Sequence, residues 1–523
     1  MALSLAGQTG RIRVVDLRAD LTFLASDALE GRLSLERGSE AAIQFLVAEF
    51  AKAGLKPVNG ESYLQPVPLV EYRVDRSETT FAYSRASERH TVTYGGDFFG
   101  GSSVESDVRG PVVFAGYGIT APEFGYDDYA GLDARGKIAL IFDHEPQENN
   151  PNSIFNGLGN TRHANSLLKL LNAQQHGAVG VLVAGEPERK HPSNLERMAR
   201  IPGSDQRARR LAPQALADSD AKIPSFQVSD EIAADLLAAT GRKPAELQAA
   251  IDQSLKPASQ PLADTRAEMR VVLAERRRGV SYNVLGLVEG TDPALKNETI
   301  VFSAHHDHDG AWDGNIRPGA DDNGSGTVGV LELARAFASS PTKPKRSLLF
   351  AIFAAEERGL LGAYYYVAHP LRPLETTRAV INFDMIGRNE NASKQTDGLI
   401  DIAADTSNEL NLIGTINSPD YRAAVERKND SVGLRLNYKW DHDAALNIFQ
   451  RSDQFPFALR DIPAVWWFTG FHPDYHQTTD TVEKINFAKM EKILRLAYLA
   501  GEEFANASAT PRYVARPGTG VAK

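Results

Sequence analysis

Apolar positions along this chain change their spacing twice, and each change marks a different kind of structure. Between Val15 and Leu55 they recur at helical intervals, so DLRADLTFLAS and SEAAIQFLVAEFAKAGL read as helices, the second closing at Gly54 as a helix C-terminus should. From about residue 105 the pattern becomes strand-like and punctuated by glycine. VRGPVVFAGYGI, RGKIALIFD and AVGVLVAG surround a helix-like LLKLLNAQQHG and predict a small β-rich unit over 105–270. Within that unit the stretch from Glu186 to Lys222 is polar and arginine-rich, which predicts a long loop or lid whose charges otherwise serve only to keep it solvated.

The second change comes at Tyr282. YNVLGLVEG, ETIVFSAHH, SLLFAIFAAEE, AVINFDMIG and PAVWWFTG are near-continuous apolar runs, and the helical patterns TVGVLELARAF and GLLGAYYYVA alternate with them. Strands this apolar are buried on both faces, so the fold class is α/β: a doubly wound, mixed and mostly parallel sheet flanked by helices, with the β-rich unit inserted. The resulting domains are 11–104 and 271–510 for the split α/β unit, 105–270 for the insert and 511–523 for a C-terminal tail.

Composition narrows the class of function. A chain of 523 residues, 42% hydrophobic and 24% charged, can bury more than one core. Its formal net charge of -10, with basic residues scattered among acids, argues against nucleic acid or an anionic membrane as the main partner. Cysteine is absent, which excludes thiolate metal sites and a cysteine nucleophile. No stretch approaches the roughly 20 apolar residues of a membrane span. The opening MALSLAGQTG lacks a basic n-region.

In doubly wound sheets functional groups collect at the carboxyl ends of strands. ETIVFSA leads into His305, His306, Asp307 and His308; SLLFAIFAA into Glu356 and Glu357; AVINF into Asp384; PAVWWF into His472 and His476. Between the first two strands the Gly-rich loop PGADDNGSG carries Asp321 and Asp322. Histidines and carboxylates converging on one end of a sheet suit a two-metal hydrolytic site, which needs a bridging carboxylate plus a histidine and a carboxylate for each ion. Without cysteine such ligands suit Zn²⁺, with Mn²⁺ or Co²⁺ also compatible. A further group must take the proton from the attacking water, which gives the adjacent glutamates two separate tasks.

SAHHD, GADDNGSG, AAEERGLLGA, NFDMIG, RSDQFPF and DYHQTTDT resemble, in order and spacing, the motifs of the dizinc aminopeptidases related to yeast vacuolar aminopeptidase and bacterial leucine aminopeptidases, a superfamily that includes glutamate carboxypeptidase and the transferrin receptor. The resemblance is specific over 280–505 and looser in the N-terminal helices and in the insert, which is similar to a protease-associated domain. It implies two Zn²⁺ per chain, with His305 and Asp384 on one, Glu357 and His476 on the other, and Asp322 bridging. It further implies Asp307 as the acceptor that orients His305, Glu356 as general base, Tyr475 as hydrogen-bond donor to the oxyanion, Arg451 as an aid to substrate binding, and a cis peptide between Asp322 and Asn323. His306, His308 and His472 compete as ligands, and Asp321 competes with Asp322; only His305 has an acid two residues on and only His476 follows the tyrosine.

The expected activity is removal of N-terminal residues from peptides, the acid-rich site receiving the free α-amine of the substrate. A carboxypeptidase would need clustered arginines, and only Arg451 and Arg388 lie within these motifs. A receptor-like binding module would be expected to have lost metal ligands, and a glutaminyl cyclase-like acyltransferase would use one zinc. The expected location is secreted or periplasmic, with a signal peptide absent from this sequence.

Overall fold

A computed structural model of the chain describes residues 12–157, 159–193, 207, 210–396, 398–443 and 445–515. Two large sheets organise them. The larger belongs to the segments on either side of the insert. Helices α1 (Val14–Leu24) and α2 (Arg37–Lys52) lead into strands β1 (Leu64–Val74), β2 (Gln214–Leu216), β3 (Leu273–Val288) and β4 (Thr299–His305). Helix α3 (Gly326–Ala338), β5 (Ser347–Phe353), α4 (Leu361–Ala368) and β6 (Thr377–Phe383) follow. Strands β7 (Glu409–Ile413), β8 (Arg435–Asn437) and β9 (Ala464–Phe468) and the long helix α5 (Phe487–Asn506) complete it.

The strand order is β2-β1-β3-β5-β4-β6-β9-β7-β8, with the short strand Lys56–Pro57 also on β3. The central run β5-β4-β6-β9 is parallel, and antiparallel neighbours join it on both sides, β3 on β5 and β7 on β9. β4, β5 and β9 are buried at every position, as strands covered on both faces must be. Alternate side chains divide between two cores. Ile300, Phe302, Leu348, Phe350 and Ile381 pack with α1, α2, α3 and α5, while Val301, Leu349, Ala351 and Val380 pack with Tyr366 and Val367 of α4. Because β5 and β6 lie on opposite sides of β4, the connections leave β4 in opposite directions and open a crevice at the carboxyl ends of these strands.

The insert has its own eight-stranded sheet, in the order 88–92, 80–85, 260–271, 106–114, 138–142, 180–184, 225–228 and 98–101. Its core is separate, built on Phe81, Phe114, Phe142, Phe226 and Leu236. This sheet reaches further towards the N-terminus than a boundary at residue 105 allows, since Thr80–Arg85, Glu88–Val92 and Phe98–Gly101 are three of its strands. The polar stretch from Glu186 to Lys222 also holds more than a loop: β2 leaves the insert and pairs antiparallel with β1. Residues 194–206, 208 and 209 of that stretch lie outside the described residues. Among the described residues no helix is long and apolar enough to cross a membrane.

Candidate metal centre

The carboxyl ends of β4, β5 and β6 bring the predicted acids and histidines together. His305 is the last residue of β4 and is paired in register with Phe353, the last of β5. Its Nε2 faces three carboxylates, Asp384 Oδ1 at 3.5 Å, Glu356 Oε2 at 3.6 Å and Asp322 Oδ1 at 3.7 Å. On the other side His476 Nε2 lies 3.3 Å from Asp322 Oδ2 and 3.6 Å from Glu357 Oε2. Asp322 thus presents one oxygen to each histidine. The two glutamates part at a turn whose first residue, Ala355, has φ of 55°: Glu356 points to His305 and Glu357 to His476.

Neighbours hold each of these groups in place. Asp384 Oδ2 accepts from Ser452 Oγ at 2.7 Å, and its carbonyl accepts from Trp466 Nε1. Glu357 Oε1 lies 2.8 Å from His308 Nδ1, so His308 orients the carboxylate rather than standing in the same row as His305. The loop carrying Asp322 depends on two glycines. At Gly319, with φ of 55°, a Cβ would sit 2.2 Å from the Asp322 carbonyl oxygen, and at Gly326 it would sit 2.3 Å from Asn323 Oδ1. The Asp322–Asn323 peptide is cis. Asp480 Oδ2 accepts from the main-chain N–H groups of Asp321 and Asp322.

Asp307 acts differently from the expectation. The acceptor that reaches His305 Nδ1 is the Asp307 main-chain carbonyl, at 3.2 Å; its carboxylate is 3.8 Å away and instead accepts from the Glu356 N–H at 3.0 Å. His306 turns to the Tyr282 carbonyl and His472 to Asp321, so neither faces the central group. Tyr475 and Arg451 meet at 3.2 Å, the guanidinium donating to the phenol oxygen. Both line one small cavity with Asp322, Glu356, Glu357 and Asp384, walled by Met385, Trp466 and Phe471.

Three residues escaped the sequence reading. Asp309 accepts from His476 Nδ1 at 2.7 Å, which fixes the tautomer and leaves Nε2 free to face Asp322. It is the last acid of HHDHD and could have been found as the partner of a second histidine. Asp453, inside RSDQF, is fully buried beside Asp384, and among the described residues neither of its oxygens has a hydrogen-bond partner. Arg207 comes from the insert: its Nε donates to Asp309 at 2.7 Å and its Nη2 to Glu357 Oε2 at 2.8 Å. The arginine-rich stretch therefore touches the centre itself.

Electrostatically the centre calls for cations. Burial raises the carboxyls of Glu356, Asp322 and Asp453 well above the ordinary carboxylate range, and repulsion from neighbouring carboxylates, Asp384 for all three, adds to it. His305 is shifted upwards as well. Despite its burial, Glu356 and Asp384 raise its imidazole well above the usual value. His305 Nε2 and His308 Nε2 nevertheless make no hydrogen bond among the described residues. Unsatisfied ring nitrogens beside crowded carboxylates fit metal ligation: His305, Asp322 and Asp384 form one set able to hold an ion, and His308, Glu357 and His476 another.

Residues 283–500 match the model of Peptidase family M28, and residues 108–236 match that of the PA domain. Leucine aminopeptidase 2 of Arthroderma otae is 28% identical over 271 residues, 48% of this chain and 49% of the relative. A protein named probable lipoprotein aminopeptidase from Mycobacterium tuberculosis is 28% identical over 291 residues, 52% of this chain and 50% of the relative. The chain thus spans about half the length of the curated relatives it matches. Among solved structures, an aminopeptidase from Aneurinibacillus sp. strain AM-1 shares the fold, with a TM-score of 0.51 and 21% identity over 98% of each chain.

Proposed function

Since the chain belongs to peptidase family M28 and carries a PA domain within it, we propose that it is a two-zinc aminopeptidase that removes N-terminal residues from peptides. The observation that carries this is Asp322, whose two oxygens face His305 on one side and His476 on the other, with Asp384 and Glu357 flanking them. Asp384 and His305 would hold one ion, Glu357 and His476 the other, and Asp322 both. Zinc bound there supplies Lewis acidity to a carbonyl and lowers the pKa of water towards about 7.

The chain's own residues supply the rest. Glu356, buried and close to His305, takes the proton of the attacking water and returns it to the leaving amine. Asp307 fixes the turn that aims Glu356 by accepting its main-chain N–H. Tyr475, held by Arg451, donates a hydrogen bond to the oxyanion that develops on the scissile carbonyl. The carboxylates lining the cavity receive the substrate's α-amine, and Met385, Trp466 and Phe471 form an apolar wall beside it. Export from the cytoplasm is part of the proposal, supported by the relative named as a lipoprotein aminopeptidase.

Peptides with free, acetylated and amidated ends test it. Acetylation of the α-amine should abolish cleavage and C-terminal amidation should change it little; equal turnover of acetylated peptides would end the assignment. The zinc content of wild type minus that of Asp322→Ala should be two per chain. A difference near zero favours a receptor-like module and a difference of one a cyclase-like enzyme.

A further inference from the structure

A second cluster of histidines and carboxylates lies in the insert, away from the crevice. His144 and Glu148 follow the strand Ile138–Phe142, Glu186 follows the parallel strand Gly180–Ala184, and His191 lies five residues further on. All are buried. His144 Nδ1 is 2.6 Å from Glu148 Oε1 and 3.5 Å from Glu186 Oε1, and His191 Nε2 is 2.7 Å from Glu148 Oε2 and 2.8 Å from Glu186 Oε1. The four ligand atoms lie within 4.8 Å of one another.

From these contacts we infer that His144, Glu148, Glu186 and His191 bind a further divalent transition-metal ion, of which zinc is the best fit, separate from the pair proposed at Asp322. Independent features of the cluster point the same way. His191 Nδ1 donates to the Pro192 carbonyl at 2.9 Å, so the lone pair of the neutral ring is on Nε2 and faces the two carboxylates. Glu186 Oε1 is buried, aimed between both histidines, and makes no hydrogen bond of its own among the described residues. The two imidazole rings stack 4.2 Å apart at 16°. If protonation balanced the carboxylates, two imidazolium cations would face each other at that distance; a dication with neutral rings balances two carboxylates without that repulsion. Imidazole nitrogens with carboxylate oxygens select zinc and its neighbours over calcium or magnesium.

The cluster also touches the other domain. His144 Nε2 lies 3.0 Å from Asn447 Nδ2, and Asn447 Oδ1 accepts from Asn160 Nδ2; ligation through Nδ1 puts a proton on Nε2, so binding the ion requires both amides to turn over, Asn447 then accepting from the ring. Asn447 leads through a single helical turn, Ile448–Gln450, to Arg451. The ion therefore ties the insert to the segment that carries the cavity's arginine.

Zinc-edge anomalous diffraction from crystals of the full chain equilibrated with Zn²⁺ tests this, alongside the zinc content of wild type and His191→Ala after gel filtration. The expected result is a peak among these four side chains and the loss of one ion per chain in His191→Ala. Asn447→Ala should weaken that ion by about 10- to 100-fold without affecting the others. No peak at this cluster, or equal zinc in wild type and His191→Ala, overturns the inference. If His191→Ala does not fold, the diffraction from wild type decides alone. Peaks at Asp322 report separately on the two-zinc proposal, so the two can fail independently.

Discussion

The crevice and the insert use the same side chains in opposite ways. At the ends of β4, β5 and β6, His305 Nε2 and His476 Nε2 stand 3.3 to 3.7 Å from the carboxylates they face, and those carboxylates line a cavity. In the insert each histidine has a carboxylate within 2.8 Å, the rings are stacked, and the neighbouring domain closes the cluster through Asn447. Open spacing beside a cavity leaves room for water and a substrate carbonyl. Closed spacing leaves no such room. On the readings proposed above, the difference is that between a catalytic metal site with free positions and a structural one without them.

Substitutions should separate the two kinds of cluster, and within the crevice they should separate base from ligand. The largest effect is expected at Glu356: Glu356→Gln keeps the size and removes the base, so turnover should fall by roughly 10² to 10⁴ while zinc content stays at the wild-type value. Full activity in this variant would rule out Glu356 as the base. Glu357→Gln removes an anionic ligand, so one ion should be lost at sub-stoichiometric zinc and excess zinc should partly restore both occupancy and turnover. Unaltered zinc binding there would mean that His308 and His476 hold the ion without it. Asp309→Asn should act at one remove. It weakens the hold on the His476 tautomer, and metal affinity should drop by about 10- to 100-fold, read by competition with a chelator; an unchanged affinity would assign Asp309 to the pairing with Arg207 alone. The smallest effect is expected outside both clusters. Arg162 of the insert pairs with the exposed Asp461 of the domain built on the larger sheet at 2.6 Å, and Asp461→Ala should cost about 0.2–1 kcal/mol in denaturant unfolding, leaving the zinc content unchanged.

Much of the crevice was legible because its residues obey one rule, that buried parallel strands deliver polar groups at their carboxyl ends. His305, Glu356, Glu357 and Asp384 each follow a continuous apolar run, so their shared location could be read before any contact was known. The same rule applies to the insert, where His144 and Glu186 follow IALIF and GVLVA, and it would have flagged the second cluster had it been applied there. Other features leave no local trace. Strands 80–85, 88–92 and 98–101 are short and partly exposed, so no apolar run announces them. Asn447 and Arg207 matter only through partners hundreds of residues or a domain away, and a polar loop residue carries no periodic signal of such a partner. For Asp307 the residue was legible but the atom was not: spacing points to a side chain near His305, and the main-chain carbonyl made the contact instead.

The larger sheet is interrupted by the insert, and this sets an order of events during synthesis. β1 pairs across the insert with β3, Leu64 with Val284, its other neighbour β2 also coming late, and the Arg32 guanidinium donates to the carbonyls of His306, Pro318 and Gly319, all made long after it. At ribosomal speeds of about 5–20 residues per second, the roughly 200 residues between those strands take about 10–40 s to appear. The insert, whose sheet draws every strand from 80–271, can complete itself in that interval. The helices ahead of it cannot, and they wait with Leu17, Leu21, Leu46 and Phe50 uncovered until α3 and β3 emerge. Newly made chains are most exposed to aggregation and to holding chaperones in that window, and lesions in α1 or α2 should show first as a loss of yield rather than of activity.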